Sequence, residues 1–313
     1  MHMIKRLLSV VGLGLLLLGL VGFSGRPSAD FDFSKHSVPL DHILSGGPPK
    51  DGIPAILKPV FVPASEAEFL DAQDRILGLV EGEEAKAYPI KILNWHEIVN
   101  DTLAGKPVVV TYCPLCGTGI GFHPVVNGRS FTFGVSGLLY QSDMVMYDHQ
   151  TESLWSQISM EAIAGPMTGT TLTHMFLEHT TWGEWRKAYP TTLVLSTKTG
   201  FSRDYLRDPY LGYAQRADLM FPVQRKDSRF HPKEWVLGLT VGEIAKAYPF
   251  SELKKAKSPL HDEVNGQRVT IQFHVDAQSA SAVDASGKPL PTVMAFWFAW
   301  YAFHPETEVF TAF

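Results

Sequence analysis

One repetition constrains this chain more than any other feature. Residues 76–89 read ILGLVEGEEAKAYP, residues 236–249 read VLGLTVGEIAKAYP, and ten of the 14 positions are identical. Weaker matches follow in register. Asp101–Lys106 faces Asp262–Gln267, and Val108–Tyr112 faces Val269–Phe273. Further on, Asn127-Gly128-Arg129 resembles Ser286-Gly287-Lys288, and Gln150-Thr151-Glu152 resembles Glu306-Thr307-Glu308. The offset of 160 residues between Ile76 and Val236 is far too long for a solenoid, whose repeats run to roughly 50 residues. The pattern predicts two related lobes, 60–160 and 220–313, with 161–219 connecting them and 30–59 as an N-terminal extension.

Within the lobes the local code favours strands. The repeated segment carries a Gly-containing turn between short strand-like runs, which predicts a hairpin. Pro89 suits the first position of a short helix reaching Ile98. Val108–Tyr112 is β-branched and apolar, the composition of a buried strand. Asn127-Gly128 between apolar pairs is a hairpin turn signal. Thr181 and Glu184 form a capping box for a helix that Pro190 stops, with a strand over Leu193–Ser196. The aromatic stretch from Val293 to Phe303 reads as another buried strand. The fold class expected from these elements is α+β, β-rich, in two related lobes.

The chain begins with Lys5 and Arg6, an uncharged apolar run from Leu7 to Phe23, and the small-residue stretch Ser24–Ala29. That order predicts an export signal over residues 1–29, cleaved after Ala29, or an uncleaved N-terminal anchor. The expected location is therefore periplasmic or extracellular, with membrane contact only through this segment. A charge balance of 27 basic against 32 acidic residues argues against a nucleic-acid partner, since phosphates demand concentrated positive charge. Only two cysteines occur, which excludes a disulfide-stapled miniature scaffold.

Those two cysteines carry the strongest chemical signal: Thr111-Tyr112-Cys113-Pro114-Leu115-Cys116-Gly117-Thr118-Gly119, a CxxC at the end of a predicted strand. Thiols at this spacing can cycle between dithiol and disulfide, and the following glycines could aim backbone N–H groups at a thiolate. Haem attachment requires His where Gly117 stands. A structural zinc site needs two further ligands, and there is no second cysteine pair. Three readings stay open: redox chemistry, soft-metal binding, and a passive disulfide.

Other candidates surround the motif. Asp143, Asp148 and His149 fall near a predicted hairpin end and could act as acid, base or ligand. Met144 and Met146 share a strand face, so with the cysteines they could form a copper(I)-type site, although methionines so spaced more often belong to a core. His123 lies close behind the motif, but Phe-His-Pro recurs at 230–232 and 303–305, which favours a turn role. His96-Glu97, after Trp95 on the short helix, is expected to face solvent and not to take part in catalysis. The second lobe has His274 where the first has Cys113, which predicts that chemistry resides in the first lobe. Gly134–Leu138 is no nucleophile elbow, Gly117–Gly121 no dinucleotide fingerprint, and His174–His179 no zincin motif, each on spacing. Trp182 and Trp185 are explained by packing.

Several long pieces resemble a bacterial family catalogued as domain of unknown function 3179. They are Val99-Asn100-Asp101, Thr111–Gly119, Phe133-Gly134-Val135-Ser136-Gly137-Leu138-Leu139, the run Met146–Gln157, and Thr181-Trp182-Gly183-Glu184-Trp185. The resemblance implies no established activity. Some relatives are labelled selenoproteins, which implies selenocysteine within the CxxC, and selenium is useful where nucleophilicity or redox cycling matters. The combined expectation is an exported thiol–disulfide protein centred on Cys113 and Cys116, with a thiol or disulfide protein as partner. The alternatives are a soft-metal binder and a ligand-binding protein with a passive bridge.

Overall fold

A computed structural model describes residues 30–312; the segment read as an export signal lies outside them. The protein is nearly all β, with 42% strand and 11% helix, arranged as a five-bladed propeller. The expected α+β two-lobe fold is therefore wrong.

The blades are nested in the chain: blade II lies between strands of blade I, and blade V between strands of blade IV. Blade I contains Phe61–Pro63, Arg75–Glu81, Glu84–Pro89, Glu178–Thr181 and Leu193–Leu195, and blade II contains Ile98–Leu103, Lys106–Cys113, Thr118–His123 and Thr173–Met175. Blade III contains Ile43–Ser45, Phe133–Tyr140, Asp143–Asp148, Leu154–Ser156 and Glu161–Ala164. Blade IV contains Trp235–Val241, Ile244–Pro249, Thr292–Phe296 and Glu308–Val309, and blade V contains Leu260–Val264, Gln267–His274, Ser279–Asp284 and Pro289–Leu290. Apolar clusters join I to II, II to III and IV, and IV to V. Glu178–Thr181 packs on Ser279–Asp284 to close the ring. Closure removes most free sheet edges.

The duplication is real, but its unit is a pair of blades. Blades I and IV share an antiparallel hairpin of matching register, Ile76 opposite Pro89 and Val236 opposite Pro249. Each is completed by a strand, a helix and a strand that pairs parallel to the hairpin. The helices are Trp182–Ala188 and Trp297–Phe303. Val293–Phe303 is thus half strand and half helix. Gly78 and Gly238 lie against the indoles of Trp185 and Trp300, where an added Cβ would come within 2.2 Å of a ring carbon. The indole N–H donates to Thr192 in one copy and to Thr307 in the other, each at 3.0 Å. The structural counterpart of Thr307 is therefore Thr192, and the expected match with Thr151 fails. Blade III interrupts the first copy only. Apart from its edge strand Ile43–Ser45, it lies between Thr118–His123 and Thr173–Met175, whereas Ser279–Asp284 runs directly into Pro289–Leu290.

Local expectations held at several points. The helix after Pro89 spans Ile90–His96, Val108–Tyr112 falls within Lys106–Cys113, and Thr181 accepts a hydrogen bond from the Glu184 N–H.

Candidate functional site

Strand Lys106–Cys113 and strand Thr118–His123 form a hairpin whose last pair is Cys113 opposite Thr118. Cys116 lies in the connecting turn, its N–H donating to Cys113 O at 3.2 Å. Gly117 adopts φ 64°, and a Cβ there would meet the Trp235 indole at 2.7 Å. Only glycine meets both requirements. The Phe296 N–H of blade IV donates to Cys116 O at 2.8 Å, which fastens the turn across the ring.

Blade III brings the third group. Its turn between Phe133–Tyr140 and Asp143–Asp148 uses Gln141 at φ 54° and Ser142 at φ 64°. Two successive left-handed non-glycine residues are strained and need support from their surroundings. Gln141 Oε1 accepts from the Gln224 N–H at 2.8 Å. The turn sets Ser142 O to accept from Cys116 Sγ at 3.4 Å and places Asp143 beside both thiols. One ligand atom each from Cys113, Cys116 and Asp143 lies within 4.8 Å of the others, and all three residues are buried. Asp143 Oδ2 accepts from the Ile158 N–H at 3.0 Å, while Oδ1 has no hydrogen-bond partner. Gln157 fixes blade III to the cysteine hairpin by donating to Thr111 Oγ1 at 2.8 Å and Thr118 O at 3.2 Å.

A fourth acid faces this cluster. Glu97 is buried, against the expectation that it faces solvent, and its neighbour His96 is buried too, bonded to Pro54 O and Tyr205 Oη. Glu97 ends helix Ile90–His96 at φ 58°, and its carbonyl accepts from the Tyr112 N–H at 2.7 Å. Nothing in the local sequence separates it from an ordinary helix-end acid, because its partner comes from another blade. Burial, then the charge of Asp143, pushes its carboxyl up to about 8. Burial pushes Asp143 up to about 7, while the Ile158 N–H and the neighbouring thiols act the other way. The thiols are raised as well, Cys116 more strongly than Cys113, with burial the largest cause for each. Tyr213 packs in the same cluster, with Tyr210 packed against it. Both tyrosines come from the segment 196–234, which has neither strand nor helix.

The remaining candidates lie elsewhere or serve packing. Asp148 accepts from Trp155 Nε1 at 2.9 Å and from the Gln150 N–H at 3.1 Å, which makes it the anchor of a turn. His149 bonds Thr132 Oγ1 at 2.9 Å on the exposed side and stands edge-on to Tyr147. Met144 and Met146 are packed in the apolar core. His123 is half-buried and pairs with Thr173. The Gly119 N–H donates to His179 Nε2 at 3.0 Å, so it is not free to face a thiolate. Both cysteines are free thiols, so the bridge of the passive-disulfide reading is not formed. His274 does occupy the position matching Cys113, at the end of Gln267–His274, and it is exposed.

No curated protein and no solved structure matches the chain. The model of the family described as protein of unknown function (DUF3179) matches residues 50–307. That span covers every residue of the cysteine–carboxylate cluster and all blade strands except Ile43–Ser45 and Glu308–Val309, and the chain belongs to this family.

Proposed function

We propose that Cys113 and Cys116 form a thiol–disulfide couple that exchanges with a disulfide of a partner molecule. The observation that carries this reading is the meeting of two unbridged thiols with the Asp143 carboxylate in one buried cluster. A buried carboxylate beside two thiols is placed to hold the proton that an attacking thiol must give up. Cys113 is the attacker, because the Cys116 thiol is already engaged in donating to Ser142 O at 3.4 Å. Its sulfur displaces one partner sulfur and forms a mixed disulfide. Cys116 then attacks Cys113 and releases the second partner sulfur. Two S–H bonds are lost, one S–S bond forms, and both protons and both electrons pass to the partner, which leaves as a dithiol.

Burial of both sulfurs makes exchange selective, because a partner must reach them past the segment that carries Tyr210 and Tyr213. An oxidising, exported location follows from reading residues 1–29 as a signal, and a fusion of residues 1–35 to an export-dependent reporter should be active. The couple itself is tested by equilibrating the protein with defined glutathione ratios and trapping free thiols. The expected potential lies between roughly −120 and −270 mV, the span of cycling couples. A value below about −300 mV would mark a static bridge and overturn the reading.

A further inference from the structure

The cluster has a feature that disulfide exchange does not use. Four acidic groups, Cys113, Cys116, Asp143 and Glu97, face one another in the protein interior. Among the described residues, no Lys or Arg forms an ion pair with Asp143 or Glu97. One oxygen of Asp143 is fully buried and unpartnered. A buried acceptor without a partner is unusual and calls for an explanation.

We propose that, in the reduced protein, Cys113 Sγ, Cys116 Sγ and Asp143 Oδ1 bind one divalent cation of the borderline class, of which zinc is the type. The dimensions agree. Zinc–sulfur bonds of about 2.3 Å and zinc–oxygen bonds of about 2.1 Å put tetrahedral ligand atoms roughly 3.6–3.8 Å apart. The three ligand atoms here lie within 4.8 Å of one another without a metal. The Ile158 N–H holds the other carboxylate oxygen, the outer-shell support that fixes a metal-ligating carboxylate. Two thiolates exclude magnesium and calcium, which take oxygen, while the carboxylate shifts preference from copper(I) toward zinc. Three protein ligands leave the fourth tetrahedral position to a water or another exogenous ligand, in a site walled by Phe131, Trp155 and Ile158 among others. Binding displaces the two thiol protons, which leave to solvent as the metal enters, and the cation supplies the positive charge that the cluster lacks.

Sulfurs joined in a disulfide are not thiolates, so metal and disulfide are alternative states and the cation would protect the dithiol from oxidation. This exclusion rests on the thiol–disulfide reading, whereas the binding does not. The two therefore fail separately: the glutathione equilibrium tests the couple, and metal titration of the reduced chain tests the site.

The experiment titrates cobalt(II) into the full reduced chain under anaerobic conditions. One equivalent should produce sulfur-to-cobalt charge transfer and intense tetrahedral ligand-field bands, and zinc should abolish both. At least two protons should be released per metal near pH 7, one from each thiol. Cys113→Ser or Cys116→Ser should remove the charge-transfer bands. Asp143→Asn should weaken binding roughly tenfold or more. Should Asp143→Asn fail to fold, proton release and band intensities of the unmodified chain still decide. An unchanged spectrum on adding cobalt would overturn the proposal, as would equal binding once thiol trapping shows that diamide has formed the Cys113–Cys116 disulfide. So would a folded Asp143→Asn variant with unaltered affinity.

Discussion

Blades I and II and blades IV and V are two copies of one design, and only the first carries the cysteine–carboxylate cluster. In both, a hairpin ends in a turn whose fifth position is left-handed: Gly117 at φ 64° and Gln278 at φ 45°. In both, the turn is fastened to the opposite copy through a backbone carbonyl. Phe296 N–H donates to Cys116 O, and Arg75 Nη1 donates to Ala277 O. The backbone device is therefore common to both, and the chemistry is an addition to it. Cys113 and Cys116 are matched by His274 and Ala277, and Glu97 by Ser258, whose hydroxyl takes the Phe273 N–H at 3.1 Å. The first copy also contains blade III, which supplies Asp143 and covers the turn. The second copy has no inserted blade, and its turn borders an open cleft of about 420 Å³ lined by Ser258, His274 and Ser279. The turn with an extra blade beside it is buried, and the turn without one borders an open cleft.

The largest expected effect separates the two turns. Cys113→Ser should abolish disulfide formation within the chain, whereas His274→Asn should leave the thiol potential and titration unchanged. Measuring both variants by thiol trapping checks the comparison directly. A loss in His274→Asn equal to that in Cys113→Ser would show that the second turn shares in the chemistry.

The next effect concerns what the copies share. Trp185→Ala and Trp300→Ala each remove a fully buried indole that rests on a glycine and donates to a threonine. Each should cost about 3–5 kcal/mol in denaturant unfolding. Gly78→Ala and Gly238→Ala should each cost about 1–3 kcal/mol by overpacking against the same rings. If only the first-copy variants destabilise, blades IV and V are not held by the same joint.

These elements also show where the sequence could be read and where it could not. The hairpins at 76–89 and 236–249 were visible because their offset is constant over 14 residues. The Trp185 and Trp300 elements are offset by 115 residues instead of 160, because blade III lengthens one copy by 45, so a fixed-period comparison misses them. The propeller was hidden for two reasons. Blade I takes strands from 61–63 and 193–195, far apart in the chain. Strands such as Lys106–Cys113 are buried from Val108 onward, which erases the alternation that marks a half-exposed strand. Cys113, Cys116 and Asp143 were all visible as candidates, since thiols and hairpin-end acids carry chemistry by type. Glu97 was not, because its significance comes only from contact across blades. Asp148 and His149 looked equivalent to Asp143 for the same reason: one or two turns of strand decide which end of a hairpin meets the thiols.

A smaller difference between copies should appear in acid. Burial holds His304 down at about 4, where it stacks on Trp300 with ring centroids 4.0 Å apart. The matching residue of the first copy is Tyr189, stacked on Trp185 at 4.3 Å. The unfolded chain binds a proton at His304 below its ordinary value of about 6.5, and the folded chain does not until near 4. Stability is therefore lost as pH falls through this window, by up to about 1.4 kcal/mol per pH unit for one group. His174 and His179, lowered to about 4 and about 3 by burial, act in the same direction. His304→Tyr, which installs the first copy's residue, should flatten the stability profile between pH 6.5 and 4. An unchanged slope would mean that His304 is protonated in the folded protein.

The finest test asks whether the indole–threonine joints are equal. Thr192 Oγ1 accepts from Trp185 Nε1 and itself donates to Ala85 O at 3.0 Å; Thr307 Oγ1 accepts from Trp300 Nε1 and donates to Glu308 O at 3.0 Å. Thr192 thus ties its helix to the hairpin of its blade, while Thr307 reaches only its own neighbour. Replacing either by Val keeps the shape and leaves a buried indole N–H without an acceptor, a loss of about 1–3 kcal/mol. Thr192→Val also frees the Ala85 carbonyl, so it should be the more damaging by roughly 0.5–1.5 kcal/mol, the net value of one hydrogen bond. Equilibrium unfolding of both single variants and the double variant decides the matter. The sites lie in different blades with no shared partner, so the two losses should add within about 0.5 kcal/mol. Equal single losses would show that the hydrogen bond to Ala85 adds nothing. A double variant much less destabilised than the sum would show instead that the two copies unfold as coupled units across the ring.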